Sequence, residues 1–292
     1  MITRHHRLNR LRRSAALRTV GFCAIGLIAA ASAVAAEDAS RWDGDARSAV
    51  RLIAGSSRNG GAAPLRAGIE IRVKPGWHTY WRYPGDAGVP PRFDFAGSQN
   101  VKAVDVLWPA PQAIPEEGLT VIGYTDNVIL PLAVVPQNRA KPVTLRLKLD
   151  YAVCEKLCVP AEGKAELVLA GGASSQDSAL AAAEARVPKK LALGEGSPVA
   201  VKSVRRAEGA TRPRVIVDVA VPAGERVALF AEGPTPDWAL PVPAPIEGAA
   251  SGTQRFAFDL DGAPAGARYE GAPITLTARA GSAAIEVVIR LD

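Results

Sequence analysis

The sequence predicts an all-β protein: two β-sandwich domains in tandem, joined by a short, partly helical linker. Three observations support this. Short runs of alternating apolar and polar residues recur along most of the chain, the period of half-buried strands. Glycine and proline, 27 and 23 in 292 residues, punctuate those runs as turns between strands require. One alanine-rich, helix-favouring stretch at 179–186 interrupts the pattern, after a small and polar segment. The expected organisation is a leader over 1–36, a first sandwich over 37–172, the linker over 173–196 and a second sandwich over 197–292.

In the first half, residues 50–53 and 67–73 read as strands, and Lys74-Pro75-Gly76 as a turn. The run Trp77-His78-Thr79-Tyr80-Trp81-Arg82-Tyr83 is an aromatic strand. Alternation puts Trp77, Thr79 and Trp81 on one face, His78 and Tyr80 on the other. The indoles are expected to fill the core. His78 is expected to be a hydrogen-bonded structural or rim residue that can titrate near neutral pH. Residues 84–91 form a turn-dense loop, and 93–95 and 101–108 are further strands. Residues 114–123 are expected to be a loop whose tip mixes Glu116, Glu117, Gly118, Leu119 and Val121. Residues 128–135 make a strand that Pro131 assigns to an edge or a bulge. Residues 143–151 alternate well and deliver the chain to Cys154; 164–170 are a further strand.

Pro188 stops the short helix. Beyond it, candidate strands at 199–204, 214–221, 227–232, 254–260, 274–280 and 284–291 alternate with glycine-bearing turns at a spacing that suggests a sandwich. This half contains no cysteine or histidine. Trp238 is expected in a loop that packs on the other domain.

Residues 1–36 read as a secretory signal. Arg4, Arg7, Arg10, Arg12, Arg13 and Arg18 precede an apolar run at 20–30, and Ala33-Val34-Ala35 offers a small-residue cleavage site. That run is too short to span a membrane, and nothing after it approaches the ~20 apolar residues of a span. The leader holds six of the 35 basic residues and no acidic one, leaving 29 Lys and Arg against 29 Asp and Glu. A nucleic-acid partner therefore has no electrostatic basis.

Cys23 falls in the leader, so sulfur chemistry rests on Cys154 and Cys158. Fully extended, residues four apart are about 13 Å from each other at ~3.3 Å per residue. A disulfide needs Cα atoms about 4.4–6.8 Å apart. A bonded pair therefore requires the chain to fold back within Glu155-Lys156-Leu157. Lys156 favours a thiolate and Glu155 opposes it. Three readings stand: a pair that exchanges with other disulfides, a permanent staple at a strand end, or a soft-metal site holding Cu(I) between Cys154 and Cys158. One histidine, His78, remains beside them, which disfavours histidine-based zinc. No phosphate-binding or dinucleotide motif is present, and no cofactor is expected. Glu116-Glu117 read as solvated carboxylates.

Several of these segments together resemble a known family. Pro75-Gly76-Trp77-His78-Thr79-Tyr80-Trp81-Arg82, Pro84-Gly85-Asp86-Ala87-Gly88, Trp108-Pro109-Ala110-Pro111, Gly123-Tyr124 and Tyr151-Ala152-Val153-Cys154-Glu155-Lys156-Leu157-Cys158-Val159-Pro160 follow the order found in the N-terminal domain of DsbD thiol:disulfide interchange proteins, nearest the ScsB-like, copper-sensitivity branch. The resemblance covers roughly residues 45–170, and the second half resembles the tandem domain of that branch. It implies two immunoglobulin-like sandwiches and a periplasmic, signal-peptide-exported protein. It also implies that Cys154 and Cys158 are the redox pair, with Cys154 forming mixed disulfides and Cys158 resolving them. A cap loop shields the pair in that family; the stretch 117–124, with Glu117, Leu119 and Tyr124, is the candidate, and Glu155, Lys156 and His78 are candidate modulators.

The implied function is a protein-disulfide reductase component that relays reducing equivalents to exported disulfide-containing proteins, among them cytochrome c maturation proteins. The chain shows no membrane domain and no thioredoxin-like domain. A separate thioredoxin-like or membrane reductase of the DsbD or CcdA type is therefore the expected electron donor. The other reading is a non-enzymatic adaptor or copper-responsive binding module whose cysteines form a staple or hold Cu(I).

Overall fold

Valine, isoleucine and leucine at alternate positions favour extended chain whose one face must be buried, and the computed structural model shows how the strands pair. It describes residues 37–57, 63–207 and 213–292; the leader assigned to 1–36 lies outside them. In the first half the strands are β1 (Asp43–Gly44), β2 (Ser48–Ala54), β3 (Leu65–Val73), β4 (His78–Gly85), β5 (Arg92–Asp94), β6 (Val101–Val106), β7 (Gln112–Glu116), β8 (Leu119–Tyr124), β9 (Val128–Pro136), β10 (Val143–Cys154) and β11 (Cys158–Leu169). Helix α1 (Asp177–Ala185) follows. Then come β12 (Lys189–Lys190), β13 (Ala200–Arg206), β14 (Arg214–Ala220), β15 (Val227–Glu232), β16 (Ala244–Ile246), β17 (Thr253–Asp259), β18 (Pro273–Ala280) and β19 (Ala283–Arg290).

The strands form four sheets, and the architecture is all-β. Sheets β1-β2-β3-β9-β6 and β11-β10-β4-β8-β7 belong to the first half, with β5 paired to β10. Sheets β12-β19-β18-β15 and β13-β14-β17-β16 belong to the second. A core of Leu52, Ile69, Leu130, Leu145, Leu149 and Trp81 lies in the first pair, and one of Val217, Phe256, Leu276 and Val287 in the second. Phe230 of β15 joins the first core and stands 5.9 Å from the Trp81 ring. No helix among the described residues is long and apolar enough to cross a membrane.

Helix α1 is not a free connector. Leu180 is fully buried beneath Gly55 and Gly68, where an added Cβ would lie 2.8 Å from a Leu180 methyl. Arg66 holds both ends of the helix, donating to Asp177 at 2.8 Å and to Glu184 at 2.8 Å.

Three local expectations change. Residues 114–123 are not a loop but most of the β7–β8 hairpin, with Ile114 opposite Val121 and Glu116 opposite Leu119. Its two-residue turn, Glu117-Gly118, has φ of 47° and 87°. Positive φ at both positions matches the twist of a hairpin, but glutamate there gives no turn signal in the sequence. Pro115 is tolerated because β7 is an edge strand. Pro131, by contrast, lies in β9, between β3 and β6. Its carbonyl accepts from Leu107 at 2.8 Å, just past the end of β6, so the missing N–H faces the side where the neighbouring strand has stopped. Trp238 packs into the second core, edge-on to Tyr269, rather than on the first sheet pair.

Candidate functional site

The register of β10 against β11 brings the cysteines together. Twelve consecutive residue pairs run from Val143–Leu169 to Cys154–Cys158, so the ladder ends on the two sulfurs. Glu155-Lys156-Leu157 turn the chain back, the Cα atoms of Cys154 and Cys158 are 4.2 Å apart, and the pair is disulfide-bonded. The two ends differ in access. Cys154 is 0% exposed, whereas Cys158 is a surface residue. An incoming thiolate must reach the sulfur it attacks, and of the two residues Cys158 is the more accessible.

Strand β4 supplies the ceiling of the site. Cys154 lies opposite His78 and Val153 opposite Thr79. Alternation then turns His78 and Tyr80 to the face that carries Cys154. The Tyr80 hydroxyl is 2.7 Å from Cys154 Sγ and 3.0 Å from Cys158 Sγ. Disulfide sulfurs carry no proton, so the phenol is the donor to both. Burial, aided by the Glu116 carboxylate, pushes the Tyr80 phenol up to about 12, so it remains a donor at neutral pH.

Tyr80 is itself covered. Tyr80, Val121, Ala152 and Cys154 form a small buried cluster, with Ala87 and Ile114 packed on it. Gly88 has φ of 120°, and a Cβ there would lie 2.3 Å from the Tyr80 ring. The loop that follows β4 therefore packs closely against the ring, and the expected 84–91 loop is shorter by its first two residues, which end the strand. Asp86 ties that loop to β8: its N–H donates to Thr120 O at 3.0 Å, and its carboxylate accepts from Thr120 N–H at 2.8 Å.

The other candidate residues are placed unevenly. His78 is 5% exposed and meets Tyr80 edge-to-face at 5.4 Å. It is not hydrogen-bonded as expected: its Nε2 has no partner within bonding distance and faces Glu116 at 3.7 Å. Burial lowers the His78 pKa, and Glu116 partly opposes this. Glu117 and Leu119 occupy the exposed β7–β8 tip. Tyr124 points into the first core, where its hydroxyl donates to Pro109 O at 2.8 Å. It does not cover the cysteines. Glu155 and Lys156 are exposed in the turn, next to Leu157, which is 75% exposed. Tyr80, Ala87 and Gly88 were absent from the sequence-derived site. Two signals point to them: Tyr80 shares a face with His78, and all three residues stand in the runs that carry the family resemblance.

His78 is the only histidine among the described residues, which gives a pH prediction. Its folded pKa is depressed, so folding favours the neutral ring. That contribution is complete above the unfolded value of about 6.5 and is lost as pH falls through the lower folded value. His78→Gln removes this acid sensitivity. Thermal melts of the oxidised protein at pH 8 and pH 5 should therefore show a smaller drop in Tm for the variant than for the wild type. Equal drops would mean that His78 does not control stability in this window.

Residues 56–170 match the family described as thiol:disulfide interchange protein DsbD, N-terminal. Among solved structures, the N-terminal periplasmic domain of ScsB from Proteus mirabilis is similar, with a TM-score of 0.67 and 19% sequence identity. The match covers 87% of this chain and 98% of that one, more than either sheet pair could supply alone. At that identity the likeness concerns the fold. No curated protein matches the chain.

Proposed function

We propose, on the match of residues 56–170 to the DsbD N-terminal family, that this chain is a periplasmic thiol–disulfide interchange protein. Its Cys154–Cys158 pair takes two electrons from a thioredoxin-like or membrane reductase and passes them to disulfides of exported proteins. One observation carries the reading: a disulfide with one surface sulfur residue and one buried one, both within reach of a single protonated phenol.

The chemistry follows from that asymmetry. A reductase thiolate attacks Cys158 Sγ, a reductase–Cys158 bond forms and the Cys154–Cys158 bond breaks. Cys154 leaves as a thiolate, held by the Tyr80 O–H until it takes a proton. The second reductase thiolate then attacks its partner sulfur in the mixed disulfide and frees Cys158. The reductase is now a disulfide and this pair a dithiol. In the forward half, the Cys158 thiolate attacks a target disulfide and Cys154 resolves the mixed disulfide. The target leaves as a dithiol and the Cys154–Cys158 bond reforms. Specificity then comes from protein docking around the exposed turn at 155–157.

Redox titration of the purified protein against glutathione and dithiothreitol buffers, read by alkylation and mass, tests this. A reversible midpoint within about −120 to −270 mV, the range of exchange proteins, is the expected result. A pair that stays oxidised until below about −300 mV would make it a structural staple.

A further inference from the structure

The strand that carries Tyr80 loses its regular pairing immediately afterwards. Tyr80 pairs with Gly123 on β8, and the next pair along is Gly85 with Val121. Four residues, Trp81 to Pro84, thus stand against one, Ile122. A bulge of this size bends the strand and leaves its backbone short of ladder partners. The same segment leads directly into the 84–91 loop that covers Tyr80.

The second sheet pair holds that segment. Arg82 Nε donates to Glu232 Oε1 at 2.8 Å, and its Nη2 donates to Glu232 Oε2 at 2.7 Å and to Glu286 Oε2 at 2.6 Å. The guanidinium also lies 4.4 Å from the Trp81 ring centre. Glu232 ends β15 and Glu286 sits on β19, so one side chain is fixed by two strands of one sheet. Tyr83 donates its hydroxyl to the Leu240 carbonyl. At the base of the loop, Pro84, Gly85 and Pro90 face Gly233, Pro234 and Pro236 across a cavity of about 340 Å³. Space remains there, so on this side the base of the loop is held by these few polar contacts, which add to the Asp86–Thr120 hydrogen bonds and the packing of Gly88 on Tyr80 at its other side.

We propose that Arg82 and Tyr83 are positioning residues through which the second sheet pair holds the 84–91 loop over Tyr80 and so sets how readily the Cys154–Cys158 bond is opened. This gives the second half of the chain a role in the reaction, although none of its described residues bonds to the sulfurs. It rests on the exchange reading above for its biological meaning. Its physical content is independent, because dithiothreitol reduces an accessible disulfide whether or not a partner protein does.

The test compares rates of disulfide reduction by excess dithiothreitol, followed by alkylation and mass, in folded protein well below Tm. Removing Arg82 outright would strand two carboxylates, so the variants are conservative: Arg82→Lys, Glu232→Gln and Tyr83→Phe. Val217→Ala, in the second core and away from these contacts, serves as the control for general loss of stability. The expected result is about tenfold faster reduction in Arg82→Lys and Glu232→Gln, equivalent to ~1.4 kcal/mol, with a smaller gain in Tyr83→Phe. Val217→Ala should lower Tm and leave the rate unchanged. Variant rates equal to wild type would overturn the proposal. Equal acceleration by Val217→Ala would overturn it too, since global loosening would then be the cause. The wild-type midpoint decides the exchange reading, and the ratio of variant to wild-type rates decides the clamp.

Discussion

Cys158→Ser is expected to abolish exchange, whereas Cys154→Ser should leave a protein that attacks once and remains bonded to its target. The difference follows from burial. Cys154 is fully enclosed by Tyr80, Val121 and Ala152. Cys158 is the first residue of β11 and lies at the surface beside the exposed Leu157. Thiol exchange needs a sulfur atom within bonding reach of the incoming one, and a serine hydroxyl cannot replace the thiolate as nucleophile. Without Cys154 nothing resolves the mixed disulfide at Cys158, so the adduct accumulates. Incubating each reduced variant with oxidised glutathione and recording intact mass distinguishes them. Cys154→Ser should gain one glutathione and Cys158→Ser none while folded. Equal adducts on both variants would show that the buried cysteine is reachable and that the assigned order is wrong.

The legible and illegible parts of this site differ for physical reasons. Strict alternation from Val143 to Tyr151 revealed β10, and the short C-x3-C spacing showed that the chain must reverse at 155–157 if the pair is bonded. Both are local properties. The face of β4 that bears Tyr80 was also legible, since alternation separates it from Trp77 and Trp81. What covers that face was not. The 84–91 loop reads as a rigid turn in the sequence, and only tertiary packing brings Gly88 onto the ring. The hairpin β7–β8 was hidden because the first residue of its turn is a glutamate, Glu117, which holds a positive φ that its residue type does not announce, and Gly118 alone reads equally as part of a loop. Arg82 was beyond reach for another reason. Its partners lie 150 and 204 residues further along the chain, and no pattern in one sequence links positions so far apart.

Tyr80→Phe should slow exchange by about 10- to 100-fold, because a hydrogen bond to a charged group is worth roughly 1.5–3 kcal/mol. The phenylalanine ring keeps the contacts with Ala87 and Gly88, so the cover stays in place and only the O–H is lost. In the oxidised protein the cost is small, since disulfide sulfurs are weak acceptors and neutral. It becomes large when the bond breaks and charge appears on Cys154, which has no solvent to stabilise it. The substitution should therefore affect the rate far more than the Tm of the oxidised form. It should also raise the pH at which the reduced pair ionises, since a buried thiol without that donor ionises at higher pH. The phenol itself ionises only at about 12, so thiolate absorbance of the reduced protein, recorded across the thiol range near pH 8.5, reports the sulfurs and not the tyrosine. Stopped-flow reduction of the oxidised protein by dithiothreitol at one pH measures the rate, and that titration measures the ionisation. An unchanged rate and titration would mean that Tyr80 merely fills space beside the disulfide.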